Sequence, residues 1–310
     1  MKTETAQFHG VLITYQRDHD LRHFLEVLEK QTASLDSLVV VDNAADVATA
    51  QIVEVASGAI RYIGRPTNMG PAGGIDAGIE DVLSFAKDED WVVLLDDDDP
   101  PQRDDCLEIM RSLLVAIGAG DASCAGLGMW GASLNKWTGR VRAASGHQPE
   151  QVDYLPGSAL PHYSVSVLRR TGSPSPAMFF GFDDLELGLR VRDLGLHLYS
   201  TGQAREHGLG HMVEGRRASA RAEAPTWRRY YSLRNLIIVL RAHGATRGAL
   251  YRTLVGGIAK PMVNIARSPR IGLANLTLNL RAIRDGWLGR AGKTIDPTGL
   301  PVARRNAAPR

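Results

Sequence analysis

Ten residues constrain this chain more than any others: Trp91-Val-Val-Leu-Leu-Asp-Asp-Asp-Asp-Pro100. The run from Trp91 to Leu95 is short, unbroken, apolar and rich in aromatic and β-branched types, the pattern of a strand buried on both faces of a parallel sheet. Asp96, Asp97, Asp98 and Asp99 follow at once, and Pro100-Pro101 stops the strand. Four adjacent carboxylates repel one another, and the cost rises as they leave bulk water. A cation offsets that repulsion, and an all-oxygen donor set suits a hard divalent metal. In an open α/β sheet ligands bind beyond the carboxyl ends of the strands, where this cluster falls. The competing readings are a solvated acidic turn and an N-cap for the helix that starts near Asp104. The rest of the chain has to separate them.

Strands alternate with helices on either side of this element. Gly10-Val-Leu-Ile-Thr-Tyr15 reads as a first parallel strand, and Arg17-Asp-His-Asp20 as the turn and cap of a helix with Leu21, Phe24, Leu25 and Leu28 on one face. Ser37 to Asn43 is a second strand ending in an acid, residues 52–56 a helix, and Ile60 to Ile63 a third strand. Such alternation predicts βαβ units with right-handed crossovers, hence an α/β fold. No G-x-G-x-x-G follows the first strand and no P-loop is present, which excludes a Rossmann dinucleotide cradle. Asp42, at the end of the second strand, is placed to accept from a ribose hydroxyl or a base N–H, or to cap a helix. Asn68-Met-Gly-Pro-Ala-Gly-Gly74 opens a helix with Ile75, Ile79 and Val82 on one face; its glycines permit close backbone approach and expose N–H groups to an anion, or form a plain turn. A helix over 107–117, a strand over 125–130 and a loop-rich stretch with a hairpin over 131–161 complete the front half.

A second acidic element is Asp183-Asp184-Leu-Glu186, just before a helix whose apolar face is Leu185, Leu189 and Leu194. Glu186 and Arg190 are spaced i,i+4, a favourable pair. Carboxylates at a helix N-terminus are electrostatically comfortable, so capping is one reading. The other is a general base, because Phe179, Phe180 and Phe182 would limit water there and raise a carboxyl pKa. Residues 196–199 form a last strand. His207 and His211 follow at i,i+4 spacing, but Gly208 and Gly210 argue against a helical two-histidine zinc site.

The charge is split along the chain. From Met1 to Gly215 there are seventeen Lys/Arg against thirty-one acids; from Arg216 to Lys293, sixteen against two. Helices over 227–241, 246–265 and 271–288 with interleaved arginines are the basic, amphipathic kind that packs on a first domain and lies on anionic lipid. Nucleic acid is excluded as a partner: no recognition module is present and the acidic front repels phosphate. Two cysteines without pairing or metal spacing predict a reducing compartment. No apolar signal region opens the chain and no run reaches the roughly 18 apolar residues of a spanning helix. The expectation is a cytoplasmic protein, peripheral on the inner face of the plasma membrane through residues 226–292. Its oligomeric state is left open. The boundaries expected are a catalytic domain over 1–222, a helical extension over 223–292 and a disordered tail over 293–310.

Taken in order, these segments resemble the family 2 inverting glycosyltransferases of GT-A fold, a Rossmann-like, mixed, mostly parallel sheet flanked by helices, and within them the bacterial rhamnosyl- and galactofuranosyl-transferases of cell-envelope polysaccharide synthesis. The resemblance covers about residues 8–240. It is carried by Thr14-Tyr15-Gln16-Arg17, Val41-Asp42-Asn43, Asn68-x-Gly70-x-Ala72-Gly73-Gly74, the aspartate run, Asp183-Asp184-x-Glu186 with Arg190, His207-Gly-Leu-Gly210 and Tyr230-Tyr231-x-x-Arg234-Asn235. It implies that Thr14, Tyr15, Arg17 and Asp42 contact the nucleotide, with Asn68, Gly73 and Gly74 nearby. Asp96 and Asp98 match the D-x-D that holds Mg²⁺ or Mn²⁺, Asp97 would touch ribose or sugar, and His207 would complete the metal shell. Asp184 matches the catalytic base, with Asp183 supporting it or competing for the role. A second register, Asp97–Asp99, is possible; Asp96 is preferred because it directly follows the strand. The family's acidic pair is often Glu-Asp and here is Asp-Asp. The partners implied are a UDP- or dTDP-linked sugar and a glycan or polyprenyl-linked acceptor. A sugar-phosphate nucleotidyltransferase would need a glycine-rich basic loop after the first strand, which Thr14 to Asp20 does not supply. An inactive nucleotide-sugar-binding scaffold need not keep Asp96, Asp98, Asp184 and His207 together.

Overall fold

The computed structural model describes residues 6–146, 148–201 and 226–296. The front of the chain alternates as its hydrophobic pattern requires: β1 (Phe8–Thr14), α1 (Asp18–Glu29), β2 (Ser37–Asp42), α2 (Val47–Val55), β3 (Ile60–Gly64), α3 (Gly70–Leu83), β4 (Trp91–Asp96), α4 (Cys106–Gly120) and β5 (Cys124–Gly128). A hairpin of β6 (Ala132–Asn135) and β7 (Arg140–Ala143) follows, then β8 (Glu150–Val152), β9 (His162–Ser164), α5 (Val165–Thr171), α6 (Asp183–Asp193) and β10 (His197–Ser200).

Eight strands form one sheet in the order β3-β2-β1-β4-β9-β5-β10-β8. The pairs β1–β2, β1–β4, β2–β3 and β5–β10 are parallel, whereas β9 runs antiparallel to β4 and β5, and β8 antiparallel to β10. Successive side chains of the central strands point to opposite faces. Leu12, Val40, Val93 and Leu95 face a core with Phe24, Ile52, Leu107 and Met110 from α1, α2 and α4. Val11, Val39, Val41, Val92 and Leu94 face a second core with Ile79, Val82, Leu168 and Leu187 from α3, α5 and α6. Both faces are covered, which is why these strands read as continuous apolar runs rather than as alternating ones.

The chain divides into two compact units. The first comprises residues 1–133, 141–176 and 183–213; the second comprises 134–140, 177–182 and 214–310. Within the second, α7 (Trp227–Ala242), α8 (Thr246–Tyr251), a π-helical stretch (Arg252–Ala259), α9 (Lys260–Arg267) and α10 (Pro269–Trp287) form the helical part. The single helix expected over 246–265 is therefore interrupted. Pro261 has no N–H to give the carbonyl of Gly257, which instead accepts from Asn279 Nδ2 at 2.9 Å. Of the tail expected to be disordered, Thr294 and Ile295 are bonded to α7 through Tyr230, Arg234 and Tyr231; residues 297–310 lie outside the described residues. Two further readings change. Asp183 and Asp184 lie in the first turn of α6 rather than before it, and Leu194 lies beyond its end, 43% exposed. The buried face of α6 is Leu185, Leu187, Leu189 and Val191.

Candidate active site

Register brings the polar strand ends together. Ile13 pairs with Asp96, and Thr14 with Asp42, so β1, β2 and β4 finish at one edge of the sheet. There Thr14 Oγ1 donates to Asp97 Oδ2 at 2.7 Å, and Arg17 Nη1 donates to Asp97 Oδ1 at 2.6 Å and lies 2.9 Å from Asp98 Oδ2. Asp97 is buried, so charge-assisted bonds of this kind count for more than they would in water. Asp96, Asp97 and Asp98 each offer a carboxylate oxygen, all within 4.8 Å of one another. Burial first, and the charges of Asp98 and Asp97 second, push the Asp96 carboxyl up to about 7. Asp97 is also raised by burial, against the pull of Thr14 and Arg17. The acidic edge borders a narrow recess lined by Asp96, Asp99, Pro100, Met129 and Ser158. Neither Met129 nor Ser158 carries a signal in the sequence, because both arrive from distant loops.

The other expected nucleotide contacts are placed as follows. Tyr15 is 40% exposed. Asp42 is fully buried and accepts from Ala44 N (2.8 Å), Asp46 N (2.7 Å) and Tyr62 Oη (2.9 Å). Its carboxylate thus organises the turn after β2, and burial with this bond pushes the Tyr62 phenol up to about 12. Asn68 Oδ1 accepts from Gly70 N at 2.8 Å, an Asx turn that starts α3. Gly73 and Gly74 are buried in its first turns; a Cβ on Gly74 would stand 2.9 Å from Asn43 Nδ2 and 3.1 Å from Ile13 Cγ2. Asn43 Nδ2 in turn donates to Gly70 O at 3.1 Å. Gly74 therefore serves the close packing of α3 on the sheet, Gly73 leaves room for the Met69 side chain, and Asn43 is the residue that ties the turn after β2 to α3.

The second acidic pair opens α6. Asp183 is buried and Asp184 partly so. Asp184 Oδ1 accepts from Leu185 N at 2.7 Å. Burial, and then the neighbouring Asp183, push the Asp184 carboxyl up to about 8. Its field also adds to the burial that raises the phenols of Tyr154 and of Tyr163 on β9. Arg190 holds Glu186 through both carboxylate oxygens at 2.8 Å and donates to Thr171 O and Ser173 O, so the i,i+4 pair also anchors the chain after α5. His207 and His211 lie outside the described residues.

A mostly parallel sheet of this order, flanked by helices on both faces, is the GT-A fold. Residues 11–148 match the family described as Glycosyl transferase family 2. Among relatives, the chain is similar to galactofuranosyltransferase GlfT1 of Mycobacterium tuberculosis, 37% identical over 96 residues that make up 30% of this chain and 31% of the relative. It is also similar to GlfT1 of Mycolicibacterium smegmatis, 32% identical over 99 residues, 32% of each chain. The match thus spans about a third of the length of these curated relatives. Among solved structures, GalNAc-T7 with UDP, GalNAc and Mn2+ superposes with a TM-score of 0.59 at 10% identity, over 92% of this chain and 58% of that one. S. aureus TarS 1-349 in complex with UDP superposes with a TM-score of 0.54 at 14% identity, over 92% of both. At these identities the likeness is one of fold.

Proposed function

We propose that this chain is a metal-dependent, inverting glycosyltransferase. It moves a hexose from a nucleotide-diphosphate donor to a hydroxyl of a glycan or polyprenyl-linked acceptor in cell-envelope polysaccharide assembly. Galactofuranose from a UDP donor is favoured, because the curated relatives are galactofuranosyltransferases; rhamnose from a dTDP donor is the alternative. The observation that carries the reading is the pair of separate acidic groups, Asp96-Asp97-Asp98 and Asp183-Asp184, in one unit of the fold.

A divalent cation fits the first group. Three carboxylates are held within 4.8 Å, and Asp96 is forced up to about 7 by burial and by its neighbours, a penalty that a cation relieves. Oxygen donors alone suit Mg²⁺ or Mn²⁺. Asp96 and Asp98 are the ligands in the preferred register, because Asp96 directly follows β4; Arg17 contacts both Asp97 and Asp98, and His207 is the further candidate. Held there by Asp96 and Asp98, such a cation would neutralise a diphosphate leaving group. The chain's own residues do the rest. Asp184, with its carboxyl pushed up to about 8, takes the proton of the acceptor hydroxyl on the face opposite the departing diphosphate, so that one displacement inverts the anomeric carbon. Thr14 and Arg17 fix Asp97, Asp42 fixes the turn beside which base and ribose lie, and Tyr15, Asn68, Gly73 and Gly74 line the approach.

The test is calorimetric titration with UDP and with dTDP, with and without Mn²⁺, on the wild type and Asp98→Ala. One nucleotide should bind, and its binding should need both the metal and Asp98. Binding of neither nucleotide under any metal would reduce the aspartate run to a solvated turn. The site of action is cytoplasmic, on the inner face of the plasma membrane. No described helix is long and apolar enough to cross a membrane. On the helices over 246–288, however, Leu254, Met262, Val263 and Leu273 are more than half exposed among Lys260, Arg267 and Arg270, a surface suited to anionic lipid.

A further inference from the structure

The segment 177–182 runs straight into the acid pair, because Phe182 is peptide-bonded to Asp183. Its backbone is strained. Phe179 (φ 61°) and Phe182 (φ 64°) are both left-handed, as is Gly181 (φ 76°). Bulky side chains rarely adopt this conformation, and it persists only where the surroundings over-determine it.

Within the second unit the restraint comes from the middle of α7. Asn235 Nδ2 donates to Met178 O at 2.8 Å, Phe180 O at 3.0 Å and Gly181 O at 2.8 Å. Arg234 Nη2 donates to Met178 O at 3.1 Å, and Arg234 Nε donates to Asn235 Oδ1 at 2.8 Å. That last bond decides which end of the amide is which: the oxygen faces the guanidinium, so the NH₂ faces the three carbonyls. Both side chains are fully buried. The guanidinium is held by Gly292 O (2.6 Å) and Thr294 Oγ1 (3.0 Å) and lies over the rings of Tyr231 and Tyr230. Two amide hydrogens serve three acceptors, so one is shared; Met178 O also accepts from Phe180 N and Arg234, so removing the amide costs the carbonyls of Phe180 and Gly181 this donor at once.

We propose that Asn235, oriented by Arg234, is a positioning residue for the acid pair. It holds the backbone of 178–181 in the conformation from which Asp183 and Asp184 enter α6. This rests on the reading of Asp184 as the base. Asn235 acts through the peptide chain, so its loss should slow the proton-accepting step while leaving nucleotide affinity intact.

The experiment compares Asn235→Asp and Asn235→Ala with the wild type and with Asp184→Asn. Asn235→Asp keeps the shape but turns a donor toward three carbonyls into an acceptor. Three readouts are taken: UDP affinity by calorimetry, UDP release from UDP-galactofuranose, and hydrogen exchange of the peptide spanning 177–186. The expected result is UDP affinity within about twofold of the wild type, with turnover down about 100-fold, as a misplacement near 1 Å causes. Exchange should rise in that peptide and nowhere else. Wild-type turnover with unchanged exchange overturns the proposal. So does a loss that tracks UDP affinity, or loss of the whole fold in both variants, either of which makes Asn235 a residue of general structure. If Asp184→Asn retains turnover, the base reading fails, and the exchange data still decide whether Asn235 holds the segment.

Discussion

Gly188 sits in the middle of α6, one turn beyond the acid pair. A Cβ at this position would stand 2.2 Å from Asp153 O and 2.8 Å from the Cα of Tyr154, where real Cβ atoms essentially never come within 3.0 Å. Both obstacles are backbone, so no rotamer change clears them, and the helix and the 153–154 segment have to part by about 1 Å, an overpacking that typically costs about 1–3 kcal/mol. Helix propensity works the other way, since Gly→Ala in a helix interior gains about 1 kcal/mol. With backbone on both sides the steric cost takes the upper end, and Gly188→Ala should lose about 2 kcal/mol, roughly 3 °C in Tm for a chain of this size. Gly118→Ala in α4 is the control: nothing lies within 4 Å of its added methyl, so propensity alone acts and stability should rise by up to about 1 kcal/mol. Urea unfolding of the two variants gives opposite signs if close approach decides. Because α6 carries Asp183 and Asp184, the same displacement should lower turnover about 100-fold. A Gly188→Ala protein as stable as the wild type, or stabilised alongside Gly118→Ala, would refute the reasoning.

Two further outcomes are expected. The Asp184 carboxyl is raised from its usual value to about 8 by burial, so its neutral form favours the fold; the contribution is full below about pH 4 and is lost as pH rises through about 8. Asp184→Asn should therefore flatten the decline of Tm between pH 5 and pH 9 and melt above the wild type at pH 9, while losing about 10²–10⁴-fold in turnover; an unchanged pH slope would dismiss the buried-acid account. The wild type should co-sediment with anionic vesicles and be released as salt is raised across the range where the Debye length shrinks below about 10 Å, and failure to bind at any salt would remove the lipid surface from the proposal.

Some of this was legible in the residues and some was not. The apolar runs of β1, β2 and β4 announce strands covered on both faces, and the acids after β2 and β4 announce a polar edge, because hydrophobic period and the self-repulsion of carboxylates are local. The β9 strand is three residues long and reverses direction between β4 and β5, so no periodic signal marks it. Leu194 fits the helical spacing of α6, yet it falls past the last turn, where the chain bends to reach β10. Charge counts locate the basic helices but say nothing of the π-helical turns that Pro261 imposes.

The roles of individual acids divide in the same way. That Asp96 to Asp98 and Asp183–Asp184 form two acidic groups, one after a buried strand and one at the start of a helix, is legible in the sequence alone, through composition and order. Which of them are already spoken for was decided only by the tertiary structure. Asp97 is taken by Thr14 and Arg17, about eighty residues earlier, Asp42 by Tyr62 on the neighbouring strand, and the carbonyls of Phe180 and Gly181 by Asn235, more than fifty residues later. Such partners are set by strand register and burial, which are properties of the packed chain, and no local pattern of residues encodes them.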